Sequence, residues 1–107
     1  MNNLNRNLLS QESINDFLKN YSGWNVSSQN LKKDFVFKDF LEAFAFLKKV
    51  AFLAEELDHH PEIWNVYNKV TLTLSTHETL PAGGGLTQYD LEFVKRIENF
   101  DPKSKNL

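Results

Sequence analysis

Three histidines, His59, His60 and His77, are the main reactive side chains of a sequence that contains no cysteine. Histidine exchanges protons near neutrality more readily than any other side chain, which suits it to general acid/base work. Two of the three lie in the run E-E-L-D-H-H-P and the third in S-T-H-E. The lack of cysteine rules out disulfides, thiolate metal sites and a thiol nucleophile. Three imidazoles can hold a catalytic zinc, but the spacing here matches no standard zinc pattern, and adjacent histidines seldom converge on one ion. Ser75 with His77 is a poor nucleophile site. No nucleophile elbow surrounds Ser75, and strand neighbours two apart do not form a triad unaided. Acid/base chemistry by histidine remains, beside the ordinary alternative that His77 is simply solvated or hydrogen-bonded.

The elements around these residues must place them. Phe40, Phe44, Leu47, Ala51, Ala54 and Leu57 recur at helical spacing, and Asp39 with Glu42 forms a capping-box pattern. Phe46, Val50 and Leu53 widen the apolar stripe beyond what one sheet face needs. Two readings fit that width: a helix buried on all sides, or a stripe shared with another subunit. Pro61 disfavours helical geometry at His60, so the helix should end by Asp58 or His59. His59 and His60 then stand at the negative end of a helix dipole, near Glu55, Glu56 and Asp58. Dipole and carboxylates favour a proton on the imidazole, and desolvation opposes it.

Strands are expected at 63–67 and 70–76, turning at Asn68 and Lys69. Val70, Leu72 and Leu74 would face one way. Thr71, Thr73, Ser75 and, if the pleat continues, His77 would face the other, polar side. Residues 78–85, E-T-L-P-A-G-G-G, have neither the lysine of a P-loop nor a dinucleotide fingerprint, and read as a flexible connector. Thr87 caps a last helix with Asp90 three residues on, Leu86 can staple onto Leu91, and Leu91, Val94, Ile97 and Phe100 form the apolar face. In the first half, Ser10 caps a helix over 11–20, and Leu9 can staple onto its Ile14. The face of that helix is Ile14, Phe17, Leu18 and Tyr21. After Gly23, strands at 24–26 and 31–37 flank an S-S-Q-N turn. Leu31, Phe35 and Phe37 share one face of the second, with Lys33 as the exception. The order helix, two strands, helix, two strands, helix predicts an α+β fold: a four-stranded antiparallel sheet with helices packed on one face.

The chain has 107 residues, 41% of them hydrophobic, which suits one domain over 1–107 with loose ends at about 1–7 and 101–107. A core of this size is thin, so self-association is expected. A net charge of −2 argues against direct nucleic-acid binding through bulk charge. Glu42, Lys48, Lys49, Glu55 and Glu56 interrupt the apolar stretch at 40–57, so it is no membrane span. The start lacks the apolar run of a secretory signal, and a cytoplasmic location is expected.

The run E-E-L-D-H-H-P-E-I-W-N-V-Y-N-K-V-T-L-T-L-S-T-H-E resembles the signature of the pterin-4a-carbinolamine dehydratase family. The likeness extends to Gly23 and Trp24, to F-V-F-K-D-F-L-E-A-F-A-F at 35–46, and to G-L-T-x-x-D at 85–90, so it covers roughly 9–100. It implies an enzyme that dehydrates 4a-hydroxytetrahydrobiopterin, or a related pterin carbinolamine, to the quinonoid dihydropterin in tetrahydrobiopterin recycling. Such an enzyme serves aromatic amino-acid hydroxylases and needs no metal and no cofactor of its own. It implies an α+β fold and a homodimer or homotetramer. By motif position, His59 and His77 resemble the general acid/base pair, and His60 the residue that mainly binds substrate. Asp58, Ser75, Thr76 and Glu78 fall in the two motifs that line the substrate site. Glu55 and Asp90 match supporting acidic positions, with a solvated helix face and a capping role as their ordinary alternatives. The loop at 78–85 looks longer than in the animal proteins and could alter the mouth of the site. Animal relatives also act as dimerisation cofactors of a transcription factor. The alternative function is therefore an interaction module, for which the apolar face of Phe46, Val50 and Leu53 is the candidate surface.

Overall fold

The computed structural model describes residues 4–100, and the expectation of loose ends at 1–3 and 101–107 lies outside them. Three helices and four strands follow in the expected order: α1 Gln11–Leu18, β1 Asn25–Ser27, β2 Asn30–Val36, α2 Phe40–Leu57, β3 Glu62–Val66, β4 Lys69–Leu74 and α3 Gln88–Glu98. The strands form one sheet in the order β1-β2-β4-β3, antiparallel throughout. The fold is α+β, as the alternation of elements predicts.

Alternation along the strands builds the core. Leu31, Val70, Leu72 and Leu74 are fully buried on the inner face. Lys32, Asp34, Val36, Lys69, Glu62, Trp64 and Val66 lie exposed along the outer one. Onto the inner face pack Ala43, Phe46, Leu47, Val50, Leu53, Ala54 and Leu57 of α2, and Phe93, Val94 and Ile97 of α3. Lys33 is the exception expected on that face. Its ammonium meets Glu98 at 2.7 Å, beneath the rings of Trp24 and Phe35. The Trp24 indole N–H donates to the same Glu98 oxygen.

Several local expectations are corrected. α1 stops at Leu18 rather than Asn20, because Lys19, Asn20 and Tyr21 donate three residues back and tighten the last turn. The β3–β4 turn falls on Tyr67 and Asn68, one residue early. Tyr67 takes the left-handed φ of 52°, and Asn65 Nδ2 donates to the carbonyls of Tyr67 and Lys69. β4 ends at Leu74 rather than Thr76, because Thr76 leaves the ladder and exchanges two backbone bonds with Gly85. The capping box at Asp39 and Glu42 is half realised: Asp39 accepts from the Glu42 N–H, but Glu42 reaches the N–H of Lys38 instead.

The stripe of α2 is divided. Phe46, Val50 and Leu53 are buried within this chain, so they are no candidate interaction surface. Phe40, Phe44 and Ala51, expected on the core face, lie exposed with Leu41 and Phe52. The true core line runs through Ala43 and Leu47, rotated from the expected one. Helix α2 is therefore not buried on all sides. Beside it, Leu41, Phe44, Ala51 and Ile63 line a shallow apolar groove between α2 and edge strand β3.

The start of the chain is also not loose where it is described. Residues 6–9 run beside the loop at 78–86, with Leu8 N–H donating to Leu80 O, Leu80 N–H to Arg6 O, and Leu9 N–H to Leu86 O. That loop is no free connector. Gly84 N–H donates to Thr79 Oγ1, and the Thr79 hydroxyl donates to Pro81 O.

Candidate functional site

Helix α2 ends where Pro61 requires. Asp58 adopts the left-handed conformation (φ 51°, ψ 47°) and closes the last turn, and His59 N–H donates to Ala54 O. This turn sends the two histidines apart. The His59 side chain enters the protein and is 9% exposed, whereas His60 stays outside with Nε2 2.7 Å from Glu55 Oε2. Both partners of the second contact are well exposed, so it fixes His60 only weakly.

At the far side, Thr87 caps α3, and Asp90 completes a reciprocal capping box. Asp90 is fully buried and uses both carboxylate oxygens. Oδ2 accepts the Thr87 N–H at 2.9 Å and the Thr76 hydroxyl at 2.7 Å. Oδ1 lies 2.7 Å from His59 Nε2. The hydroxyls of Thr76 and Thr87 are 2.9 Å apart. Thr76 has one hydroxyl proton and commits it to Asp90, so Thr87 donates to Thr76. Thr87 Oγ1 in turn accepts the N–H of Tyr89 at 3.2 Å. The chain of bonds runs one way, from Tyr89 N–H through Thr87 and Thr76 to the carboxylate. With Asp90 the acceptor of its other two bonds, the consistent direction has His59 Nε2–H donate to Oδ1.

That arrangement orients the imidazole. Tyr89 and Phe93 flank the ring, at centroid distances of 5.6 and 6.2 Å. Among the described residues no buried side-chain nitrogen or oxygen lacks a partner. His59 Nδ1 bonds no described group, so this nitrogen is not fully buried. A histidine held this way offers one nitrogen for proton exchange while a carboxylate stabilises the charged ring.

The expected site residues therefore fall into three groups. His59, Thr76 and Asp90 are joined by direct bonds. Glu55 and His60 form the exposed pair at the end of α2. Asp58, Ser75, His77 and Glu78 join neither group: Ser75 is half-buried and the others are exposed. His77 follows Thr76 directly in sequence, so the same network anchors the backbone on either side of the site: at His59, which precedes His60, and at Thr76, which precedes His77. Three flanking residues escape the sequence reading. Thr87 is anticipated only as a cap, and Tyr89 and Phe93 are not anticipated. The aromatic spacing of Tyr89 and Phe93, four apart and straddling Asp90, is the signal that could have found them. Among the described residues, no cluster of three or more His, Asp or Glu side chains is placed to hold a metal ion.

Known proteins resemble this chain over most of its length. The family model described as pterin 4 alpha carbinolamine dehydratase matches residues 7–100. A protein of Prochlorococcus marinus (strain NATL2A) named for that dehydratase is 37% identical over 85% of this chain and 92% of its own length. One from Sulfolobus acidocaldarius, named likewise, is 40% identical over 83% of this chain and 93% of its own. Among solved structures, a transcriptional coactivator/pterin dehydratase from Brucella melitensis superposes with a TM-score of 0.79. It is 36% identical and covers 87% of this chain and 97% of its own.

Proposed function

The chain belongs to the pterin-4a-carbinolamine dehydratase family, and from that premise we propose that it dehydrates a 4a-hydroxytetrahydropterin, such as 4a-hydroxytetrahydrobiopterin, to the quinonoid dihydropterin and water. The observation that carries the proposal is the buried bond between Asp90 Oδ1 and His59 Nε2, which leaves Nδ1 as the ring nitrogen without a partner. The reaction breaks the bond from C4a to its hydroxyl oxygen and removes a proton from a ring nitrogen. The leaving oxygen takes a proton, which becomes part of the water released. His59 and His77 serve as the general acid/base pair, positioned to give one proton and take the other. Asp90 holds the orientation of His59 and balances the charge of its protonated form. His60 binds substrate, steadied by Glu55, and Asp58, Ser75, Thr76 and Glu78 line the opening. Protonation and deprotonation suffice for this step, so the protein acts without a metal or a cofactor of its own.

The same proposal places the protein in the cytoplasm as a homodimer or homotetramer, recycling a tetrahydropterin for an aromatic amino-acid hydroxylase, with no direct contact to nucleic acid. Among the described residues no helix is long and apolar enough to cross a membrane. A second reading, as a dimerisation module for another protein, is favoured by the apolar side chains left uncovered on α2, namely Phe40, Leu41 and Phe44. The solved relative named both coactivator and dehydratase is consistent with either role.

Titration with a stable dihydropterin, followed by the ring-proton resonances of the histidines, tests the site. We expect His59, His60 and His77 to move together as ligand is added, and D90N to weaken the response of His59. Saturating dihydropterin that leaves all three resonances in place contradicts the assignment.

A further inference from the structure

The segment at 6–9 touches both sides of the histidine site without belonging to it. Its backbone pairs with Leu80 in both directions, Leu8 N–H to Leu80 O at 3.0 Å and Leu80 N–H to Arg6 O at 2.9 Å. Leu80 lies three residues after His77 in a loop closed at its base by the Thr76–Gly85 bridge. Leu9 N–H then donates to Leu86 O at 3.0 Å, next to the Thr87 cap. The contact at Gly85 is tight. A β-carbon there would lie 2.7 Å from Leu8 Cδ2, and its φ of 150° strains any other residue. On the other side, the Arg6 guanidinium stacks 4.7 Å above the centre of the Tyr89 ring. Tyr89 is buried and packs against His59.

We propose that residues 6–9 are a positioning strap for the site, with Arg6 acting on His59 through Tyr89 and the backbone of Leu8 holding the loop that carries His77. The proposal rests on the dehydratase reading for its kinetic consequence, though not for its physical content. Arg6 is exposed, and its charge has no hydrogen-bond or ion-pair partner among the described residues other than the ring it covers. Such a cation pressed on an aromatic face limits the tilt of the ring beneath it. The tilt of Tyr89 in turn sets one wall for the imidazole. The parallel pairing at Leu80 has a separate effect. It adds a short edge to a loop whose sequence, with three consecutive glycines, would otherwise roam.

The test uses the full chain and its R6A variant. A positioning role lowers kcat by about threefold to fivefold, the range a single cation–π contact supports, while KM stays within twofold. A contact that matters only to stability would shift the melting temperature and leave kcat unchanged. Two readouts need no turnover. The amide protons of Leu8 and Leu80 should exchange slowly in the wild-type protein, and R6A should displace the ring-proton resonances of His59. Wild-type kcat in R6A, fast exchange at both amides, or unmoved His59 resonances each overturn the strap. Should the wild-type protein itself accelerate no dehydration, the functional reading fails, and the exchange and resonance measurements still decide the strap.

Discussion

At the scale of single residues, one carboxylate joins two roles that looked like alternatives from the sequence. The sequence offers Asp90 as a helix cap or as a supporting acidic residue, and the two do not exclude each other, because one oxygen closes the cap and the other bonds His59. The capping box was legible in the spacing of Thr87 and Asp90. The bond to His59 was not, since nothing local links residues so far apart in the chain. Only the packing of α3 against the end of α2 brings them together. The proposed role of Asp90 leads to a direct expectation. D90N keeps the shape but supplies one donor where two acceptors are needed, so it should lower kcat by up to roughly 100-fold, a fraction of the full acid/base contribution. Its effect on substrate binding should be smaller. Steady-state kinetics on D90N beside the wild type checks this, and an unchanged kcat would remove Asp90 from the mechanism.

At the scale of elements, the order and type of all seven were readable from periodicity and turn residues, and the errors sit at their ends. The shifted β3–β4 turn reflects a side-chain choice, Asn65 bonding across the turn, that overrides the usual preference for Asn and Gly. The divided face of α2 is an error of a different kind. Thirteen apolar residues on one helix leave its rotation undetermined, and only the sheet selects Ala43, Phe46 and Leu47 over Phe40 and Phe44. The loop at 78–85 is restrained rather than free, because residues 6–9, remote in sequence, pair with it and Thr79 and Thr76 bond across it. G85A tests that restraint. A side chain there meets Leu8 and adopts a disfavoured φ, so we expect a loss of about 1–3 kcal/mol in urea unfolding. A variant as stable as the wild type would mean that the strap yields freely.

At the scale of the whole molecule, a thin core and a partly bare helix point the same way. Phe40, Leu41, Phe44 and Ile63 are between 47% and 78% exposed and lie together along α2 and the edge of the sheet. Exposed apolar patches of this kind are ordinarily covered by another protein surface. The expectation of self-association rests on the short length, on the wide apolar stripe of α2 and on the family resemblance. Phe46, Val50 and Leu53 are buried, so the surface we propose for it is formed by these exposed residues. Light scattering at micromolar concentration should return at least twice the 12.4 kDa mass of one chain, and F44E should shift it downward. A monomer in the wild type would refute self-association.

The central claim is that histidines drive a dehydration, and the rate of carbinolamine decay with purified protein tests it most directly. The uncatalysed decay is itself appreciable, so the measured quantity is the excess rate per enzyme. The wild-type protein should raise the rate in proportion to its concentration, and H59A and H77A should each lower that excess by about 100-fold or more. A wild-type protein that leaves the decay at its spontaneous rate, or two alanine variants that retain full activity, would contradict it.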